Sequence, residues 1–252
     1  MAMRIQWRRD VVMLAGSTLL IAVALNFTYT RSAVFAFVPA IIIMGLFFGG
    51  RQRMIILSMV VISVICYFAL ENTGLIGSRY YRDAEEDRSA SSHAVLGEVS
   101  LAIALDNPTT GIGHEAFPTV SLDYTDILDD QAFEVGGVGS LGKMEPHNDF
   151  LNVWLSWGII ALVAFIGIFV GALRNFVTAS KSRDPFLRGL AIGCIGGLVT
   201  YGVNSYYHNS MDSSAFLWLY AGLSVALARL VRTAAQASYV RSSPTRYRSS
   251  IS

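Results

Sequence analysis

A histidine at position 147, followed by Asn148 and Asp149 in EPHNDFLN, stands where an acidic stretch gives way to the apolar run VWLSWGIIALVAFIGIFVGAL. Imidazole ionises near neutral pH, which suits it to take a proton from a hydroxyl. The plainer explanation is an interfacial polar residue that tolerates the boundary. Arg31 occupies a turn of about five residues between two apolar runs. Its guanidinium is therefore kept close to a membrane surface, where it either snorkels to lipid phosphate or binds a substrate. Arg88 ends the run RYYRDAEEDR, which also carries Arg79 and Arg82, and the neighbouring acids offer Arg88 a local pairing. His114 lies in the glycine-rich TTGIGHEAF. Two arginines and a histidine on one face suit a phosphate-linked substrate, because guanidinium forks grip phosphate oxygens in pairs. His147, Arg88 and Arg31 are thus the candidate catalytic residues, and Asn148, Arg79, Arg82 and His114 the candidate substrate-binding ones.

What must position them is a set of membrane helices. Of 252 residues, 53% are hydrophobic and only 15% charged, against about 45–50% and 25% in soluble domains. Six apolar stretches approach the ~20 residues needed to cross ~30 Å of hydrocarbon: roughly 11–27, 33–48, 54–70, 150–173, 189–207 and 215–231. The first follows a basic MRIQWRRD, yet it is longer than a signal-peptide core and no small-x-small site follows it. The expectation is an all-α polytopic bundle of about six spans. Residues 1–70 form three helices, 71–149 a long periplasmic loop with an amphipathic helix, 150–232 three more helices, and 233–252 a disordered basic cytoplasmic tail.

Charge orients the bundle. With both termini cytoplasmic, fourteen of the nineteen Lys and Arg lie inside and only Asp10 and Asp184 among the acids, as the positive-inside rule requires. Arg31, Arg79, Arg82, Arg88 and Lys143 are the basic residues left on the other face, together with the turn HNSMDSS at 208–214.

Within the long loop, apolar residues at 95, 96, 99, 102 and 103 have helical spacing until DNP breaks it at 106–108. The GxG of TTGIG lacks the third glycine and preceding strand of a dinucleotide fingerprint. SLDYTDILDDQAFEVGGVGSLGK, acidic and then glycine-rich, is expected to be a mobile loop or lid. His93, His114 and His147 with Glu115 or Asp149 match no zinc spacing, so no metal is expected. Cys66 and Cys194 sit in apolar runs as packing residues rather than a disulfide. No cofactor and no nucleic-acid partner is expected.

PHNDFLNVWLSWGII resembles the signature of the O-antigen ligase and O-antigen polymerase superfamily: His147, Asn148, nine residues, then Gly158. The RSASSHAVLGEVSLAIALDNPTTGIGHEAF passage is similar to the family's arginine, helix and NP..G.G...F segment, which maps Arg88, Asn107, Pro108, Gly111, Gly113 and Phe117. TRSA at 30–33 resembles the family's arginine turn, without its usual glycine, and Ala161 stands where Gly, Thr or Tyr is commoner. The likeness covers about residues 30–165. The family pattern has more N-terminal helices than precede Arg31 here, which suggests a fragment or a reduced protein.

The resemblance implies a metal-independent membrane glycosyltransferase of the bacterial inner membrane, acting at the periplasmic face. Its donor is an undecaprenyl-diphosphate-linked glycan. Ligases pass the glycan to lipid A–core, polymerases to another repeat unit, and relatives to protein hydroxyls. By position, Arg31 and Arg88 hold the diphosphate, His147 acts as base toward the acceptor hydroxyl or orients it, and Asn148 is an orienting partner through its side-chain amide. The competing class is a non-enzymatic membrane subunit of an envelope-polysaccharide export system. A transporter would require charges within the spans and internal repeats, and neither is evident.

Overall fold

The computed structural model describes residues 31–51, 83–128, 137–208 and 215–242, with residue 20 and several between 53 and 61. Most of the expected first and third spans, Arg79, Arg82, Cys66 and the turn after His208 lie outside the described residues. The fold is an all-α membrane helix bundle, and among the described residues there is no strand. Its principal helices are α1 (Arg31–Leu46), α2 (Asp83–Asp106), the single turn α3 (Phe117–Val120), α4 (Asp149–Ala179), α5 (Pro185–Tyr207) and α6 (Ala215–Ser242). Two short 3-10 segments, Ser121–Ile127 and Gly137–Ser140, lie between α3 and α4.

Helices α4, α5 and α6 are each long and apolar enough to cross a membrane. On α4, Ile160, Val163, Ile166, Val170 and Leu173 stay exposed. Recurring every three or four residues, they form one apolar stripe, which in a bilayer meets lipid rather than water. Small residues and polar pairs hold the spans together, as expected where lipid is as apolar as leucine. A Cβ on Gly196 of α5 would collide with Met44 of α1, and one on Gly197 with the Tyr220 ring of α6. The Asn175 amide of α4 donates to the Ser224 hydroxyl of α6 at 3.2 Å.

α1 and α5 lie antiparallel along their whole length. Phe35 meets Tyr207 at one end, with ring centroids 6.3 Å apart, and the Arg188 guanidinium donates to the Phe47 carbonyl (3.0 Å) at the other. Pro39 sits inside α1, a position tolerated in membrane helices because neighbours re-satisfy the backbone. α5 starts at Asp184, whose carboxylate accepts from the Phe186 and Leu187 amides. Pro185 follows at the first helical position, where its missing N–H costs nothing.

Above the spans sits a second layer with its own apolar core. Val95, Leu96, Val99, Ile103 and Ala104 of α2 pack against Phe117, Leu128, Leu141 and Leu155. Four of the five expected stripe positions are buried, while Ala102 is only partly covered. The segment expected to be a lid is in part fixed to this core. The Tyr124 hydroxyl donates to Asp106 (2.9 Å), and the Gly142 amide donates to the buried Ser121 hydroxyl (3.2 Å). Leu128 and Leu141 supply apolar anchors that outweigh the segment's acidic composition. Residues 129–136 between them lie outside the described part.

α4 differs most from expectation. At 31 residues a continuous helix would be about 46 Å long, well beyond a ~30 Å hydrocarbon layer. The helix breaks at Gly158 (φ 82°, ψ 176°). What remains, residues 159–179, is about 31 Å long and suffices to span. Residues 149–157 form a separate half-helix in the outer layer. α6 likewise runs to Ser242, into the stretch expected as a tail; TAAQAS is rich in good helix formers. Residues 243–252 lie outside the described part.

Candidate active site

Asn148 starts the half-helix. Its extended backbone (φ −157°, ψ 108°) and side-chain carbonyl, which accepts from the Leu151 amide at 3.1 Å, make it the N-cap. The cap fixes where the chain enters, and so where His147 stands one residue earlier. Its neighbour Asp149 is fully buried, within electrostatic reach of the Tyr201 hydroxyl on α5. Asn152 and Ser156 are buried next along the half-helix, with the Ser156 hydroxyl donating to the Asn152 carbonyl oxygen (3.1 Å).

Three imidazoles from three elements converge at this end. The His147 and His93 rings have centroids 4.4 Å apart at 58°. His208, which ends α5 in extended conformation, meets His147 edge-on at 6.5 Å. Burial strips hydration from the charged form and holds His147 below the ordinary histidine value, and repulsion from His93 and His208 adds to this. His93 is lowered for the same reasons, burial first and then His208. Burial first and the neighbouring imidazoles second thus favour the neutral form of His147.

Two candidate arginines stand on elements that reach this end. Arg31 is the first residue of α1, one turn before Phe35, and Phe35 meets Tyr207 beside His208. Arg88 lies on α2 five residues before His93, about 7.5 Å along the axis. His114 is elsewhere. It is exposed, lies 3.6 Å from the Glu115 carboxylate and stacks on Trp157 at 5.4 Å. That is the far end of the half-helix, about 13 Å along it from the cap, and no ring contact joins His114 to the cluster.

That far end is held by the NPTTGIG turn. The break at Gly158 releases helical carbonyls and an amide, and the turn takes them up: the Ile112 amide donates to Leu155 (2.7 Å), the Gly113 amide to Ser156 (3.0 Å), and the Ile159 amide to Pro108 (2.8 Å). The Trp154 indole N–H also donates to the Pro108 carbonyl (3.3 Å). A Cβ at Gly158 would overlap the Thr109 carbonyl, and one at Gly111 would fall within 2.5 Å of the Leu155 oxygen. Positive φ at both sites points the same way. Interrupted backbone at this depth is tolerated because protein, not lipid, surrounds and satisfies it.

The interlock explains why two separate motifs belong together, one supplying the break and the other its hydrogen-bond partners. The profile of the O-antigen ligase family matches residues 16–166, a span that includes Arg31, Arg88, both glycine motifs and His147. The chain belongs to the O-antigen ligase family. Membership places it among multi-pass membrane enzymes of the O-antigen ligase and polymerase type. No curated protein matches the chain.

His208 lies beyond the family match and was read in the sequence only as part of a turn. The signal was in the topology, which sends the end of the fifth span to the same face as His147. His93 entered the sequence reading only in a rejected metal set. Among the described residues, no group of three His, Cys, Asp or Glu is arranged to hold a metal ion.

Proposed function

We propose that this O-antigen ligase family member transfers a glycan from an undecaprenyl-diphosphate carrier to a hydroxyl of lipid A–core at the periplasmic face of the inner membrane. The observation that supports the reading is the meeting of His147 with His93 and His208 at the capped start of the half-helix, with Arg31 and Arg88 on helices α1 and α2 that reach the same end. His147 takes the proton of the acceptor hydroxyl as the oxygen attacks the anomeric carbon. The bond from that carbon to the carrier's phosphate oxygen breaks, and the carrier leaves with the electron pair as its diphosphate. Arg31 and Arg88 bind the diphosphate and offset the charge that grows on it. Asn148 fixes the base by capping the half-helix. Arg79 and Arg82 are proposed to extend the anionic contact. His114, remote from the cluster, is a weaker candidate for the same task.

Orientation follows from charge. Arg51, Arg53, Lys181, Arg183 and Arg188 lie at the end of the α1–α5 pair opposite the histidines, and the positive-inside rule assigns that end to the cytoplasm. The division at residues 70, 149 and 232 into helices, periplasmic layer, helices and tail is proposed with the boundary moved inward to Gly158.

The test is complementation of a strain lacking the cognate ligase, with Arg31→Ala, Arg88→Ala and His147→Ala made separately. At normal abundance each variant is expected to lose surface glycan; parental display by all three would remove the assigned site. The gel pattern separates the polymerase alternative. A ligase defect leaves polymer on its carrier, whereas a polymerase defect leaves single repeat units on the acceptor.

A further inference from the structure

We infer that His93 and His208 are positioning residues for His147, and that the three imidazoles form one cluster accommodating a single proton at a time. The inference rests on the proposed role of His147 as base.

Its ground is geometric. The three rings come from α2, from the loop before α4 and from the end of α5, elements separated by more than fifty residues of chain at each step. They meet at centroid separations of 4.4 and 6.5 Å. Ring packing at this range does not require histidine, since a phenylalanine or leucine would fill the same space with more favourable burial. What three imidazoles add is mutual repulsion once one is charged. Interacting sites of this kind titrate together, the first proton opposing the second.

The groups facing His147 from the packed elements are His93 of α2 and His208 of α5. Beside His147 in the chain, the Asp149 carboxylate is buried within electrostatic reach of Tyr201, and Glu145 precedes it in the loop. Arg31 heads α1 and Arg88 lies on α2, two elements that reach the same end. The proton taken from the acceptor hydroxyl therefore enters a cluster that cannot keep a second. It leaves to water before the next turnover, which returns the base to its neutral form.

Two measurements on the purified full chain test this. The first needs no activity: carbethoxylation of each histidine by diethyl pyrocarbonate across pH, read by peptide mass spectrometry, because only neutral imidazole reacts. His147 and His93 are expected to keep reacting at lower pH than free N-acetylhistidine added as the standard. A profile for His147 that coincides with that of the standard overturns the inference. The second is the pH–rate profile of glycan transfer in His93→Gln and His208→Gln. With a like charge removed, the acidic limb is expected to move to higher pH, and kcat to fall while KM for the lipid-linked donor holds. Unchanged acidic limbs and rates in both variants overturn the inference while leaving His147 as base. Parental transfer by His147→Ala would instead remove the proposed function, and the carbethoxylation profile would still judge the cluster.

Discussion

The half-helix at residues 149–157 has two unlike ends. At its C-terminal end the Leu155 and Ser156 carbonyls and the Ile159 amide, freed by the break at Gly158, are met by main-chain groups of residues 108–113. At its N-terminal end a single cap sets the backbone, and around it gather His147, His93, His208 and the buried Asp149. One end is fixed by main chain so that the other can present titratable side chains. The nine residues between Asn148 and Gly158 are the length of that lever. The motif thus joins an ionisable residue to a structural one, at opposite ends of one half-helix.

Gly158→Ala should break the comparison most severely. Its backbone lies in a region essentially restricted to glycine, and the added carbon overlaps the Thr109 carbonyl. The loss is expected to reach about 4 kcal/mol, read as a collapse of folded abundance and of the detergent unfolding midpoint. Gly113→Ala supplies the contrast, because its Cβ would meet open space and only positive φ opposes it, at about 1–2 kcal/mol. Equal midpoints for the two variants would mean that the interlock does not hold the half-helix.

At the other end, His147→Ala should leave the unfolding midpoint close to the parent's and reduce transfer by at least about 10²-fold. A variant that melts early and keeps its rate per folded molecule would reverse the assignment of the two ends. The pH dependence sharpens the same point. Because His147 lies below the ordinary value of 6.5 in the folded protein, transfer should persist as pH falls through 6.5 and fail only beneath it. Stability follows the same sign. The unfolded chain binds protons near 6.5 before the native imidazoles do, so stability declines as pH falls through that window and is indifferent above it. A midpoint that rose on acidification from pH 7 to 5.5 would contradict the lowered imidazoles.

Asn148→Ala should have an intermediate effect, about 1 kcal/mol from the lost cap, with a decline in rate larger than that stability change explains, because His147 loses its fixed entry angle. If the rate per folded molecule is unchanged, the cap does not position the base.

Much of the fold was legible because membrane helices announce themselves by length and apolarity, and α1, α5 and α6 begin within a few residues of the expected positions. The break in α4 was not legible from hydropathy. A lone glycine within WLSWGIIAL looks like any other small residue, and only the facing turn shows why it must be one. The site was half legible. His147 stood out as an ionisable residue at an apolar boundary, whereas the structure makes its neighbour Asn148 the cap of the half-helix. His208 did not stand out, because a histidine in a polar turn has no periodicity to betray its partners. His114 was attractive for its glycine-rich setting, yet those glycines serve the interlock, and their nearest histidine stacks on Trp157 instead.

The smallest predicted effect concerns the spans that hold both ends in place. The Ser224 hydroxyl accepts from the Asn175 amide and donates to the Ala221 carbonyl of its own helix. Ser224→Ala removes the first of these links between α4 and α6 and leaves the helix backbone intact. Interhelical side-chain hydrogen bonds in membranes average about 0.6 kcal/mol, because the unfolded helices also find partners. The unfolding midpoint should fall slightly, and the transfer rate and its pH profile should stay where they are. A change in the acidic limb here would mean that the spanning part of α4 communicates with His147 through Gly158. The break would then be a hinge that transmits motion rather than a joint that isolates the outer layer from the membrane.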